Sequence, residues 1–236
     1  MTPRAILFDA GDTLFRLRRS VGEVYAEAAA RHGVMVAAAE IDSRFRSVFR
    51  RMPPLAFPGV AEAELPAREY RWWKELVAAV FDGIDLADFN ACFAELFAYF
   101  AGAQNWELFE DVLPALRGLR SRGVRLAIVS NFDGRLVRIC EGLGVAAYFE
   151  TIVMSGRVGV AKPDPRIFRV ALRRLGLRET GVVHIGNSMR EDVEGARAAG
   201  VRGILLARTA EAAGADVIHD LRDLGDLDAA LARHYG

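Results

Sequence analysis

Ala5-Ile6-Leu7-Phe8-Asp9-Ala10-Gly11-Asp12-Thr13 opens the chain with four apolar residues, a carboxylate and a short turn-forming stretch. An apolar run of this length without polar alternation suits a strand covered on both faces, the kind found in parallel sheets flanked by helices. Four more runs of the same character follow: Val124–Val129, Thr151–Met154, Val182–Ile185 and Arg202–Leu206. Helical periodicity fills the intervals at Val112–Arg122, Gly134–Gly144, Pro165–Gly176 and Arg190–Gly200, and Gly144, Gly176 and Gly200 stand where helices stop. Strand and helix alternate, which predicts an α/β fold with a doubly wound parallel sheet.

Residues 17–105 break that rhythm. Val21, Val24, Tyr25 and Ala28 share one helical face, as do Ile41, Phe45, Val48, Phe49 and Met52. Trp72, Leu76 and Val80, then Phe89, Phe93, Leu96, Phe97 and Phe100, continue the spacing, and Pro53–Gly59 separates two of the helices. The expected organisation is therefore an α/β core from 1–16 and 106–236, with an all-helical cap inserted at 17–105. The cap aromatics read first as packing, with one or two available to line a pocket.

Bulk properties narrow the function classes. Of 236 residues, 52% are hydrophobic and 26% charged, which excludes disordered and collagenous chains. The 31 basic and 31 acidic residues cancel, so nothing points to nucleic acid or an anionic membrane as partner. No apolar run has the length of a membrane span, and Asp9 interrupts the first run too early for a signal peptide. Cys92 and Cys140 are too few for a disulfide framework and read as reduced thiols, so a cytoplasmic location is expected. Dinucleotide and P-loop glycine patterns are absent. His184 lies inside an apolar strand and reads as a core histidine, while His32, His219 and His234 lack metal-ligand spacing.

Ligands of open parallel sheets bind beyond the carboxyl ends of the strands. Those ends carry Asp9…Thr13, Ser130-Asn131, Lys162-Pro163 and Gly186-Asn187…Asp192. Lys162 stands out because only it and Lys74 are lysines, the other 29 basic residues being arginines. A compact ammonium and a planar guanidinium are not interchangeable in a tight site.

This ordered set resembles the haloacid dehalogenase-like (HAD) hydrolase superfamily, in the branch with a helical cap after the first strand of a Rossmann-like core. The segment from Asp9 through the cap is similar to the subgroup named for rhythmically expressed genes. The resemblance implies that Asp9 is the nucleophile of a phosphatase acting on a small phosphorylated metabolite through an aspartyl-phosphate. It further implies Mg²⁺ held by Asp9, the Gly11 carbonyl and Asn187. Thr13, Ser130, Asn131 and Lys162 would bind the phosphate, and Asp192 would orient Lys162 or a metal-bound water. A monomer or homodimer is expected.

Two positions depart from the phosphatase pattern. Gly11 replaces the aspartate that serves as general acid and base, a loss of about 10²–10⁴-fold in rate. Asp12, in place of the usual glycine, is the candidate substitute; the competing reading has its carboxylate bonding local turn amides. Asn187 replaces a metal-binding aspartate and brings a carbonyl oxygen without charge, so metal binding is expected to be weak or substrate-assisted. Both departures also resemble metal-independent, halide-releasing members that act at carbon. Those members need a cap arginine, for which Arg44, Arg46, Arg50 and Arg51 are available, and a tyrosine where this chain has Phe168. A catalytically weak anion- or partner-binding module is the third alternative. Lys74, the only cap lysine, lacks the context of an imine-forming residue.

Overall fold

The computed structural model describes residues 3–208, 214 and 216–226. His234 lies outside the described residues, as does the end of the expected core segment. A parallel sheet of six strands runs in the order β5-β4-β1-β6-β7-β8. Its strands are β1 (Ala5–Phe8), β4 (Arg125–Ser130), β5 (Thr151–Met154), β6 (Val182–Gly186), β7 (Arg202–Leu206) and β8 (Val217–Ile218). All five strands expected from apolar runs form; β8 is too short to have left a periodic signal.

β1 is the centre of the sheet, with β4 on one side and β6 on the other. Its side chains alternate between two cores. Ile6 and Phe8 pack with Leu126, Ile128, Val183 and Ile185 under α5 (Val112–Ser121) and α6 (Arg135–Gly142). Ala5 and Leu7 pack with Ala127 and Val129 under α8 (Pro165–Leu175) and α9 (Gly195–Ala198). A short α7 (Ser155–Val158) leads from β5 towards α8, and a π-helical turn at Met189–Glu194 precedes α9. The chain winds outward from β1 through β4 to β5, then crosses back to β6. The carboxyl ends of β1, β4 and β6 therefore flank a topological switch point, where such sheets bind ligands.

The helical stretch contains α1 (Val21–Arg31), α2 (Ala38–Arg51), α3 (Leu65–Val80) and α4 (Phe89–Ala101), with a hydrophobic cluster of its own built on Tyr25, Ile41, Trp72, Leu76 and Phe93. Ser20 starts α1 with a reciprocal cap: its hydroxyl accepts from the Glu23 amide, and Glu23 accepts from the Ser20 amide. One feature escaped the sequence reading. β2 (Phe15–Leu17) and β3 (Trp106–Leu108) pair antiparallel, so the chain leaves and re-enters the sheet layer through one ribbon. The expected breaks at 16/17 and 105/106 both fall at this ribbon. Side chains also tie the block to the core: the Trp73 indole donates to Asp133, and the Ser155 hydroxyl donates to the Leu55 carbonyl at 2.6 Å. Among the described residues no helix is long and apolar enough to cross a membrane.

Candidate active site

Asp9 follows β1 directly, and its amide donates to the Ile185 carbonyl at 2.8 Å, extending the sheet pairing by one residue. The side chain is buried, and its two oxygens have different surroundings. Oδ1 accepts from Ser130 Oγ at 2.9 Å and from Lys162 Nζ at 2.6 Å. Among the described residues, Oδ2 receives only a long contact from Thr13 Oγ1, at 3.4 Å. Residues from β1, β4 and the segment after α7 thus converge on one carboxylate, as the strand-end reading expects.

Lys162 is 4% exposed and bridges two carboxylates, with Nζ also 2.6 Å from Asp192 Oδ1. Burial alone would push its pKa down; attraction to Asp9 and Asp192 outweighs it, and the net shift is upward. Asp192 moves the other way: burial opposes its charge, but Lys162 and His184 hold its carboxyl well below the usual carboxylate range. Both of its oxygens are committed, Oδ1 to Lys162 and His184 Nε2 and Oδ2 to the Ser188 amide at 2.9 Å. Of the two expected roles, this geometry suits orientation of Lys162. A Cβ at Gly186 would lie 2.1 Å from Asp192 Cγ, so glycine at the end of β6 is what admits that carboxylate.

Asp12 and His184 depart from expectation, and Asn131 has a further role. Asn131 does not turn its side chain to the Asp9 carboxylate. Its Oδ1 accepts from the Lys162 amide at 2.7 Å, and its Nδ2 donates to the Lys162 carbonyl and to Glu191. It clamps the lysine segment to the end of β4, leaving only its backbone for an anion. Asp12 takes a left-handed conformation, φ 55°, which aspartate tolerates better than most residues. Its carboxylate accepts no hydrogen bond among the described residues, so the turn-bonding reading does not hold. It is exposed at the cleft, where partial desolvation and the Asp9 charge raise its pKa. His184 is fully buried, but it is only half satisfied. Nε2 meets Asp192 at 2.9 Å, while Nδ1 has no partner among the described residues. Its register opposite Leu7 directs it to the α8 face, where the Phe168 ring packs edge-on at 4.9 Å. Phe168 therefore belongs to the core. Of the arginines in the helical stretch, Arg44 is tied to Glu40 and the Asp82 carbonyl.

Two supporting residues were not singled out from the sequence. Glu191, its pKa raised by burial against the pull of Lys162, fixes Asn131. Arg208, beyond β7, donates to the Thr13 carbonyl at 2.6 Å and holds the loop after Asp9. No spacing pattern connects either to its partner. Both cysteines are free and buried, with burial pushing the Cys140 thiol up to about 12 and the Cys92 thiol up to about 11, so neither is a ready nucleophile.

Asn187 is exposed, with Oδ1 3.5 Å from the Thr13 hydroxyl that also approaches Asp9 Oδ2. Two oxygen acceptors thus flank one hydroxyl, and Oδ2 is otherwise unpaired among the described residues. A carboxylate, an amide carbonyl and the nearby main chain suit a hard divalent cation that keeps most of its waters.

The model of the haloacid dehalogenase-like hydrolases matches residues 3–200. The chain belongs to this family. As a haloacid dehalogenase-like hydrolase it resembles haloacid dehalogenase-like hydrolase domain-containing protein 3 of Mus musculus, at 38% identity over 208 residues, covering 86% of this chain and 82% of that protein. It is 27% identical over 215 residues to the Rhythmically expressed gene 2 protein of Drosophila melanogaster, with 86% and 82% covered. Phosphoserine phosphatase of Thermus thermophilus is 36% identical over 131 residues, 55% of this chain and 52% of that one. Among solved structures, a HAD phosphatase from Thermococcus onnurineus superimposes with a TM-score of 0.66 at 24% identity, covering 98% and 99% of the two chains.

Proposed function

We propose that this hydrolase is a phosphatase acting on a small phosphorylated metabolite, with Asp9 as nucleophile. The observation that carries this reading is the pairing of Asp9 Oδ1 with Ser130 at 2.9 Å and Lys162 at 2.6 Å, a buried carboxylate oxygen already surrounded by donors. Oδ1 attacks phosphorus, the P–O bond to the alcohol breaks, and Ser130 and Lys162 transfer their hydrogen bonds to the arriving phosphoryl oxygens. Donors aimed at developing charge in a water-poor site supply much of the barrier lowering. Asp192 keeps the ammonium in place, Asn131 anchors its backbone, and Thr13 donates from the other side. Water then hydrolyses the aspartyl-phosphate.

Mg²⁺, held on the Oδ2 side of Asp9 with Asn187 and the Gly11 carbonyl, would neutralise charge between the carboxylate and the phosphate dianion. Asp12 serves as the proton donor to the leaving alcohol. Its raised pKa is consistent with that role. The helical block at 17–105 acts as the cap and covers the site. The identity to a phosphoserine phosphatase over half of the chain adds support for phosphate ester chemistry.

Phosphate release from a panel of monoesters, with and without a chelator, tests the proposal. Turnover that survives Asp9→Asn rules out Asp9 as nucleophile. Halide release unaffected by chelation would favour attack at carbon. Phosphate binding without turnover would leave a binding module.

A further inference from the structure

A cavity of about 670 Å³ opens between the helical block and the core, and its lining includes Gly11 and Asp12, two and three residues after Asp9. Rings form much of its wall, and Arg16, Arg18, Arg19 and Arg135 add charge to the lining. Phe45, Phe49, Trp73 and Phe132 all face it. Phe49 is 46% exposed although it packs on Phe45 at 5.6 Å and near Trp73 at 6.5 Å. An exposed ring in a concave site that reaches the loop after Asp9 has a direct use as a stacking surface.

Arg16 and Arg18 pair with Glu107, and Arg19 with Glu27, which partly offsets the positive charge these exposed arginines bring to the lining. Two further donors, on Arg135 and Tyr25, line the cavity. Arg135 spends Nε and Nη2 on Asp133 and lies over the Trp73 ring at 4.7 Å, but its Nη1 makes no hydrogen bond among the described residues. The Tyr25 hydroxyl, also on the cavity, is likewise without a hydrogen bond there. Burial keeps that phenol protonated, with Arg135 as its charged neighbour, so it remains a donor.

We infer that the alcohol released at Asp9 carries an aromatic ring, seated against Phe49 and Trp73, with a hydrogen-bond acceptor that meets Arg135 Nη1 and the Tyr25 hydroxyl. The inference rests on the phosphatase reading above and narrows its substrate class to phosphate monoesters of aromatic, acceptor-bearing alcohols.

Four primary alkyl esters separate ring recognition from leaving-group chemistry: butyl phosphate, 2-phenylethyl phosphate, 2-(4-carboxyphenyl)ethyl phosphate and O-phosphoserine. The ring is expected to raise kcat/KM about tenfold over butyl phosphate, and the carboxylate about tenfold again. Phe49→Ala should bring the ring-to-butyl ratio close to one, and Tyr25→Phe should cut the carboxylate-to-plain-ring ratio about fivefold. Equal or better turnover of butyl phosphate or O-phosphoserine overturns the inference and leaves the phosphatase reading standing. So does a Phe49→Ala change that lowers all four esters alike. If no ester is hydrolysed, the phosphatase reading fails, and calorimetric binding of the esters to the Asp9→Asn protein decides the pocket separately. Affinity tenfold higher for the ring esters supports the aromatic seat, and equal affinity refutes it.

Discussion

Replacing Gly11 with aspartate should make this hydrolase a faster phosphatase. The position has room: a Cβ built there meets no heavy atom within 4 Å, and Gly11 is not among the glycines in the left-handed region. A carboxyl group two residues after Asp9 would stand beside the leaving alcohol, where a general acid is worth about 10²–10⁴-fold, or about 3–5 kcal/mol of barrier. Two features reduce the gain. Asp12 already presents a carboxyl group with a raised pKa at the cleft, and a further negative charge near Asp9 disfavours an approaching phosphate. The expected increase in kcat is therefore at the low end, about 10²-fold on an alkyl phosphate. On p-nitrophenyl phosphate, whose leaving group needs no proton, it should be within about threefold. Phosphate release at saturating substrate measures both numbers, and a thermal melt shows that the variant folds. A folded Gly11→Asp protein with no gain on alkyl esters, or an equal gain on both substrates, would refute the reasoning that Asp12 protonates the leaving group less well than a carboxyl group at position 11.

Other perturbations read the supporting structure. Gly186→Ala puts a methyl group 2.1 Å from Asp192 Cγ and must push that carboxylate off Lys162 and the Ser188 amide; urea denaturation should show a loss of about 2–4 kcal/mol. Lys162→Arg puts a larger, planar group where one compact ammonium lies 2.6 Å from each of two carboxylates, so kcat/KM should fall about 10²-fold while anion binding persists. Asp192, with its folded pKa depressed, contributes stability that is full above its ordinary pKa of about 4 and is lost as the pH falls through its lower folded value. Asp192→Asn should therefore flatten the acid limb of a stability–pH curve. Glu69 has the opposite sign: burial raises its pKa, so its ionised form costs stability at neutral pH and the cost fades on acidification. Denaturation of Glu69→Gln at pH 5 and pH 8 should show less stabilisation on acidification than the wild-type chain.

Most of the sheet could be read from the sequence because Ile6, Phe8, Leu126, Ile128 and Val183 must be apolar on one face while Ala5, Leu7, Ala127 and Val129 are apolar on the other. The β2–β3 ribbon could not: three residues are too few for a period, and their partners lie some ninety residues away in sequence. The residues around Asp9 were legible because strand ends of such sheets share one edge, and Lys162 because lysine is rare in this chain. What Asn131 holds was not legible. An asparagine after a strand has the same appearance whether it faces an anion or, as here, clamps the Lys162 backbone. His184 likewise reads as core from its apolar neighbours; only the strand register reveals that it meets Asp192. The Tyr25–Arg135 pair joins two layers that no sequence pattern brings together.

Chemical trapping tests the role of Asp9 most directly. The protein would be mixed with a phosphate ester, quenched in acid within one turnover, digested and sequenced by mass spectrometry. The expected result is a single hydroxylamine-labile phosphoryl group on Asp9, absent from the Asp9→Asn protein. A phosphoryl group on Asp12 instead, or turnover with no covalent adduct at all, would contradict it.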